Sequence, residues 1–199
     1  MFIDTRDALV AQLEKLAAIP GLTPSQMQAF ATEVQLSEAL LADLRRPDPT
    51  HPYGRNVVWA CDVLECMVAT WTPGTPCYPH DHGGSYGAVR VLQGQALHRI
   101  WSVQDNALEE VHHHPATPGD VLVCGPSMVH SMGDDAQPQG LMTLHLYTRA
   151  IDHMVVYDLT GHDTVVVEGS CGAWIPTEAS GLLRSRIAGI HKRADLAAA

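Results

Sequence analysis

Apolar side chains in the first fifty residues recur at the spacing of amphipathic helices. Between positions 5 and 19 they fall every three or four residues, at Leu9, Leu13, Leu16 and Ile19. Thr5 precedes this run as a candidate N-cap, and Pro20 follows it as a helix stop. Thr23 and Ser37 open two further segments of the same kind. The pattern predicts three short helices at the N-terminus.

After Pro52 the pattern changes to short runs of β-branched and aromatic residues separated by Gly, Pro, Asn and Asp, which is typical of strands. Eight such runs occur, at residues 56–62, 64–72, 85–94, 95–103, 119–125, 141–148, 153–159 and 163–169. No long helical segment lies between them. We therefore predict an antiparallel β-barrel or sandwich rather than a parallel α/β sheet.

These patterns divide the chain into three parts of a single domain, since 199 residues suit one sizeable core. Residues 1–50 are expected to form helices packed on a barrel of residues 51–170. Residues 171–199 form a C-terminal tail, whose pattern is ambiguous. We interpret the tail as a surface helix that frays at its alanine-rich end.

The charge balance disfavours several classes of partner. Twelve Lys and Arg against 22 Asp and Glu give 12 − 22 = −10, and this net charge repels phosphate backbones and anionic lipid surfaces. The N-terminus lacks the apolar stretch of a signal peptide, and no later stretch reaches the length of a membrane span. We expect a soluble, cytoplasmic protein that binds neither nucleic acid nor membranes. The sequence does not indicate an oligomeric state.

Cysteine and histidine usage points to a metal site rather than to disulfides. The five cysteines contain no CxxC pair and are expected to be free thiols, while the twelve histidines are partly clustered. His80 and His82 stand two apart in an extended segment, so both rings project from one face and reach one point. Such a pair also arises by chance on a polar strand. Two imidazoles are rarely sufficient, so a third ligand is required from elsewhere.

His130 is the candidate third ligand, because it follows the predicted strand 119–125 past a turn that folds it back towards the pair in a barrel. The spacing resembles the two motifs of the cupin superfamily, in the order Gly74-x5-His80-x-His82, Gly94, Pro118-Gly119-Asp120 and His130. The glutamate that cupins carry after the second histidine is missing. Three neutral histidines remain as the ligand set.

The longer pattern resembles the cysteine dioxygenase family, particularly its bacterial members. The matching elements are Tyr53-Gly54-Arg55-Asn56, Trp71, His80-Asp81-His82, Leu92-Gln93-Gly94, His130 and Thr143-x-His145-x-Tyr147. They fall in family order between about residue 51 and about residue 150. The resemblance implies a mainly β fold, a cupin-type antiparallel β-barrel or jelly roll, with the N-terminal helical segment added.

The resemblance assigns His80, His82 and His130 as ligands of one Fe(II) ion. Three neutral imidazoles leave the ion its double charge, which favours binding of a thiolate and then of oxygen. The implied reaction adds both atoms of O2 to the sulfur of L-cysteine and gives cysteine sulfinic acid, a step of cysteine catabolism. A small thiol and O2 are therefore the expected partners.

Five further residues have roles that the resemblance implies. Arg55, with Tyr53 nearby, would bind the substrate carboxylate, because a guanidinium presents a rigid two-pronged donor. Thr143, His145 and Tyr147 would form a catalytic hydrogen-bonded relay that ends in a phenol beside the thiol. Strand alternation independently places these three residues on one face.

Two positions depart from the mammalian members of the family. Gly87 stands where those enzymes carry the cysteine that crosslinks to the active-site tyrosine, so we expect Tyr147 to be an unmodified phenol. Thr148-Arg149-Ala150 replaces the common Ser-Pro-Pro, which leaves the substrate preference open. We interpret Arg149 as an exposed residue at a strand end.

The other polar residues near these motifs are interpreted as structural. Asp81 should point away from its two neighbours by strand alternation. His112-His113-His114 is interpreted as a solvated loop, and four histidines as isolated residues without a function, namely His98, His153, His162 and His191.

Two alternatives to a cysteine dioxygenase remain open. One keeps the chemistry and changes the substrate to another thiol carboxylate, 3-mercaptopropionate or mercaptosuccinate. The other is a non-enzymatic cupin that binds a metal or a ligand. A relay that ends in a phenol argues against the second alternative, because a passive binder has no need of it.

Overall fold

The computed structural model describes residues 1–134 and 140–196. The three predicted N-terminal helices are present as α1 (Arg6–Ala17), α2 (Pro24–Glu33) and α3 (Glu38–Leu44), and a short α4 (Arg193–Leu196) lies near the C-terminus. Thr5, Thr23 and Ser37 each cap a helix by accepting a hydrogen bond from a backbone N–H of its first turn. None of the helices in the described residues has the length and hydropathy that crossing a membrane requires.

Strands make up most of the regular structure after α3. In chain order the described strands are β1 (Phe2–Ile3), β2 (Gln35–Leu36), β3 (Tyr53–Ala60), β4 (Glu65–Trp71), β5 (Gly87–Gln93), β6 (Ala96–Gln104), β7 (Ala107–Ala116), β8 (Val121–Cys124), β9 (Val129–Asp134), β10 (Met142–Tyr147), β11 (His153–Asp158), β12 (Asp163–Glu168) and β13 (Leu183–Ala188). Each of the eight runs predicted from the sequence overlaps one of these strands.

Apart from β1 and β2, which pair in parallel, the strands form two antiparallel layers. The first layer is a five-stranded sheet of order β3-β4-β10-β5-β8, and the second consists of two three-stranded sheets, β7-β6-β9 and β11-β12-β13. A buried cluster fills the space between the layers, with Met67 and Val89 from the first and Met132 and Val165 from the second. The mainly β prediction with added N-terminal helices is confirmed.

The segment around His80 joins the two sheets of the second layer. His80 bridges to His130 on β9 and to Val156 on β11. On the β9 side, the backbone N–H of each histidine donates to the carbonyl of the other, at 2.9 and 3.0 Å. On the β11 side, the N–H of Asp81 donates to the carbonyl of Val155 at 3.0 Å. His80 therefore lies in a seam between β9 and β11.

The five-stranded sheet is buried on both faces because the N-terminal helices cover its outer side. Leu144 and Leu146 of β10 pack with α1, α2 and α3 in one buried cluster, whereas Tyr147 of the same strand belongs to the cluster between the layers. This alternation explains why β10 is buried along its whole length. The same alternation places Thr143, His145 and Tyr147 on the inner side of the sheet, as predicted.

Two predictions about local structure are wrong. The histidines at 112–114 lie within strand β7 rather than in a loop, paired along their length with β6. The tail contains strand β13, which pairs with β12, and only short helical turns at Glu178–Ser180 and α4. The predicted fraying of the alanine-rich end concerns 197–199, which lie outside the described residues. Arg149 is exposed, as interpreted from the sequence.

Candidate metal centre

Three histidines from two segments meet in the space between the layers. His80 and His82 come from the seam and His130 from β9, and one ring nitrogen of each lies within 4.8 Å of the others. The Nε2 atoms of His82 and His130 are 3.0 Å apart. All three side chains are buried. The structure thus brings together the three residues that the sequence proposes as ligands.

The hydrogen bonds of these rings leave nitrogen lone pairs for a ligand. The Nδ1 of His80 lies 2.9 Å from the carbonyl oxygen of Tyr78, so it is the protonated nitrogen and Nε2 is free. Burial lowers the pKa of His80, and burial together with the neighbouring rings lowers the pKa values of His82 and His130 well below the usual range. The rings are neutral, which is the form that binds a metal ion.

This donor set fits a divalent transition metal. Two Nε2 atoms facing each other at 3.0 Å need either a proton or a cation between them, and three buried imidazoles offer nothing suited to Mg²⁺ or Ca²⁺. In two of the rings the other nitrogen also has a partner. Nδ1 of His80 lies within hydrogen-bond distance of a carbonyl oxygen, and Nδ1 of His130 within hydrogen-bond distance of another ring. Such outer contacts are typical of metal-binding histidines.

The predicted relay forms a continuous chain of hydrogen bonds along β10. Thr143 Oγ1 lies 2.7 Å from His145 Nε2, and His145 Nδ1 lies 3.0 Å from the hydroxyl of Tyr147. The Tyr147 ring packs edge-on against His82, with ring centroids 5.1 Å apart. Thr143 also accepts a hydrogen bond from Trp71 Nε1 at 2.8 Å. The chain therefore begins at an indole and ends at a phenol beside a candidate ligand.

The direction of this chain follows from the donors. Trp71 Nε1–H is a donor only, so the hydroxyl proton of the buried Thr143 is satisfied when it is donated to His145 Nε2. His145 then carries its proton on Nδ1 and donates it to the Tyr147 oxygen. Burial lowers the pKa of His145 to about 3 and raises the pKa of Tyr147 well above its usual value, so both are neutral. The hydroxyl proton of Tyr147 is therefore not donated to His145.

A small cavity lies where these groups meet. Its volume is about 10 Å³, room for roughly one water-sized group. It is lined by Tyr53, Trp71, Cys77, His80, His82, His130, Met132, His145 and Tyr147. The candidate ligands, the end of the relay and Tyr53 therefore share one enclosed space.

Gly87 lies directly beside the relay phenol, because it is the cross-strand partner of Tyr147. A Cβ atom at position 87 would lie 3.3 Å from Cε1 of Tyr147 and 3.2 Å from Nδ1 of His82. A cysteine there would thus place its sulfur close to the phenol ring. Glycine offers no sulfur, which agrees with the expectation of an unmodified Tyr147.

Arg55, the predicted carboxylate ligand, is held by the C-terminal part of the chain. Its NH1 donates to the carbonyls of Gly169 and Cys171 at 2.8 and 2.9 Å, and its NH2 lies 3.6 Å from Glu65. It is not among the described residues that line the small cavity. The N–H groups on Nε and NH2 have no hydrogen bond of normal length to the described residues. Its role in binding a carboxylate stays a prediction.

Asp81, between two candidate ligands, anchors their segment. Its Oδ1 accepts from the backbone N–H of Gly83 and of Val155 at 3.1 and 3.0 Å. Arg193 of α4 donates to both carboxylate oxygens, at 2.5 and 2.7 Å. The interpretation of Asp81 as structural agrees with these contacts. Its arginine partner, 112 positions away in the chain, carries no signal in the sequence.

His98 was interpreted as an isolated residue, and that interpretation is wrong. It is 2% exposed, and its Nε2 lies 2.9 Å from Nδ1 of His130. Burial lowers its pKa to about 4, with a smaller contribution from His114. The His114 ring packs edge-on against it at 5.1 Å between centroids. The HxH spacing of His112 and His114 hints at a shared strand face, but only the pairing of β6 with β7 shows that His98 lies on it.

Known proteins share both the sequence pattern and the fold. Residues 34–160 match the sequence profile of the family described as cysteine dioxygenase type I. An uncharacterized conserved protein with a double-stranded beta-helix domain from Klebsiella pneumoniae is similar with a TM-score of 0.50 and 16% identity, over 58% of this chain and 87% of that one. A cupin superfamily protein from Desulfitobacterium hafniense has a TM-score of 0.42 and 15% identity, over 58% and 94%. The family match and the first structure confirm the cupin-type fold expected from the sequence.

Proposed function

Because the chain belongs to the cysteine dioxygenase type I family, we propose that it is an Fe(II)-dependent thiol dioxygenase whose substrate is L-cysteine. The proposal names His80, His82 and His130 as the iron ligands. It names Arg55 and Tyr53 as contacts of the substrate, and Thr143, His145 and Tyr147 as the catalytic relay. The product is cysteine sulfinic acid, with both oxygen atoms taken from O2.

One observation carries the proposal: three neutral, buried imidazoles and a protonated phenol face the same small cavity. Fe(II), when bound by the imidazoles, would supply a binding site for the thiol sulfur and the activation of O2. A protein that only stores or senses a metal has no use for a proton donor at that point. The buried relay therefore favours an enzyme over a metal-binding cupin.

The relay gives Tyr147 a defined task. Because His145 donates to the phenol oxygen, the phenol keeps its own proton available for a group bound in the cavity. Burial raises its pKa, so the group acts as a hydrogen-bond donor rather than as a phenolate. A preorganised donor of this kind stabilises negative charge that develops on a reacting atom.

The choice of cysteine rests on Arg55. Two N–H groups of Arg55 are fixed by backbone carbonyls, and its NH2 lies 3.6 Å from Glu65, so the guanidinium is held in place. A fixed guanidinium favours a substrate with a carboxylate.

The test is oxygen uptake by the iron-loaded protein with L-cysteine, 3-mercaptopropionate, mercaptosuccinate and cysteamine. L-Cysteine is expected to give the highest kcat/KM, and 18O2 should place two labelled atoms in its product. If the protein prefers 3-mercaptopropionate or mercaptosuccinate, its assignment as a dioxygenase stands and the assignment of its substrate changes. If none of the thiols gives oxygen uptake, the proposal that the protein is an enzyme is refuted.

The ligand assignment needs its own control. His80→Ala, His82→Ala and His130→Ala are each expected to lose bound iron and activity together, whereas His113→Ala, on the exposed strand β7, should lose neither. Metal analysis of the four purified variants measures this. Full iron occupancy in all three ligand variants would refute the assignment.

A further inference from the structure

A buried imidazole stands behind one candidate ligand and is not part of the ligand set. His98 of β6 is 2% exposed, and its Nε2 lies 2.9 Å from Nδ1 of His130. The Cys124 thiol is also near that nitrogen, at 3.7 Å, but burial raises its pKa to about 12, and a thiol is a weak hydrogen-bond acceptor. His98 is therefore the principal partner of the outer nitrogen of His130.

The contact fixes the positions of two protons. Nε2 of His130 faces His82 on the cavity side, so a metal ion there takes its lone pair. A neutral His130 then carries its proton on Nδ1 and donates it to Nε2 of His98. To accept, His98 must keep a lone pair on Nε2 and carry its single proton on Nδ1. Metal binding at one ring thus dictates the tautomer of the next.

We propose that His98 is a positioning residue for the metal ligand His130, acting as a neutral hydrogen-bond acceptor that fixes the ring's orientation and tautomer. This inference rests on the proposed metal site. Metal-binding histidines frequently donate to a carboxylate, which draws the proton away and makes the ligand more anionic. A neutral imidazole acceptor orients the ring without that transfer of charge. It preserves the neutral ligand set that lets an anionic thiolate bind to the same ion.

The position of His98 suits this role because its surroundings hold it in place. It lies on the central strand of the sheet β7-β6-β9, and the His114 ring stacks edge-on against it at an interplanar angle of 84°. The Nδ1 atoms of His98 and His114 are both buried and have no partner among the described residues. The Nδ1–H of His98 therefore has no carboxylate partner among the described residues.

The tautomers can be read directly in the wild-type protein. Zn²⁺-loaded protein labelled with 15N at histidine is examined by long-range 1H–15N correlation spectra. His130 and His98 should each show a neutral ring with the proton on Nδ1. A His98 ring with its proton on Nε2, or with both nitrogens protonated in the Zn²⁺ form, would overturn the proposal.

Two variants separate hydrogen bonding from packing. His98→Gln retains an acceptor near the position of Nε2, whereas His98→Leu fills similar space without one. Zn²⁺ loss to a chelator is expected to be about 10- to 100-fold faster in His98→Leu and within about threefold of wild type in His98→Gln. His113→Leu, on the exposed side of β7, is the control and should match wild type.

The outcomes distinguish this inference from the proposed function. Equal rates of Zn²⁺ loss in His98→Leu and wild type, or equally faster loss in both His98 variants, would refute the positioning role. Melting temperatures of the metal-free variants show whether His98→Leu acts merely through the stability of the fold. Wild-type protein that binds no Zn²⁺ would instead refute the metal site itself, and the inference with it.

Discussion

Removal of the Arg193 side chain tests how strongly the C-terminus holds the metal-binding segment. The carboxylate of Asp81 is 4% exposed, and in Arg193→Leu it loses both guanidinium donors. Breaking a buried ion pair from one side costs about 3 to 5 kcal/mol. The arginine is 29% exposed, and two backbone N–H groups still reach Asp81. We therefore expect a loss of about 2 to 3 kcal/mol.

The assay is urea and thermal unfolding of the metal-free protein. For a chain of this size each kcal/mol lowers Tm by about 2 to 4 °C, so the expected decrease is roughly 4 to 12 °C. Arg184→Leu is the matched control, because Arg184 pairs with Asp152 and Glu168 at the surface. Exposed pairs contribute little, so its Tm should change less.

A double variant identifies the cause. In Asp81→Asn/Arg193→Leu the buried charge is absent while the amide oxygen still accepts the two backbone N–H groups, so most of the stability should return. Weaker metal binding in Arg193→Leu is expected as well, since Asp81 lies between His80 and His82. Either of two results would contradict this explanation. One is that Arg193→Leu lowers the free energy of unfolding no more than Arg184→Leu does. The other is that the added Asp81→Asn substitution restores no stability.

Four further predictions concern the proposed active site. Tyr147→Phe should lower turnover about 10- to 1000-fold with metal binding retained, since one donor is lost; unchanged turnover would argue against the relay. Trp71→Phe removes the donor that sets the relay's direction and should lower kcat about fivefold, the effect of one hydrogen bond of about 1 kcal/mol. Because Gly87 provides no sulfur, intact mass should equal the sequence mass, and a deficit of two hydrogens mapped to Tyr147 would contradict this. Arg55→Ala should cost about 2 to 4 kcal/mol in kcat/KM for cysteine and much less for cysteamine, and equal losses for the two thiols would exclude carboxylate binding.

Local patterns in the sequence predict much of the fold. Helix starts at Thr5, Thr23 and Ser37 are set by side chains that bond within their own first turn. Runs such as β4 and β10 are largely apolar because both faces of the five-stranded sheet are covered. Strand β7 was missed because charged residues and histidines occupy its exposed edge, and Pro115 stands near its end. Strand β13 lacks a strand signal for a different reason, since its polar residues do not alternate with apolar ones.

The candidate site is predictable only where its residues are two positions apart. His80 with His82, and the three residues of the relay, follow from the alternation of side chains along an extended segment. His98 meets His130 across 32 residues, and Asp81 meets Arg193 across 112. Neither pair has a local signature, because their contacts depend on how β6, β9 and α4 are placed by the whole fold. A search for motifs therefore finds the ligands and misses the groups that hold them.

The seam that carries His80 and His82 also bears on the order of folding. His82 meets His130 across 48 residues of chain, and Asp81 meets Val155 across 74. Closing loops of that length costs entropy that short hairpins such as β6 to β7 do not incur. We therefore expect the hairpins to form before the seam closes, and the three imidazoles to converge afterwards. A metal ion bound by the three imidazoles would then stabilise a fold that is already assembled and would not nucleate its folding.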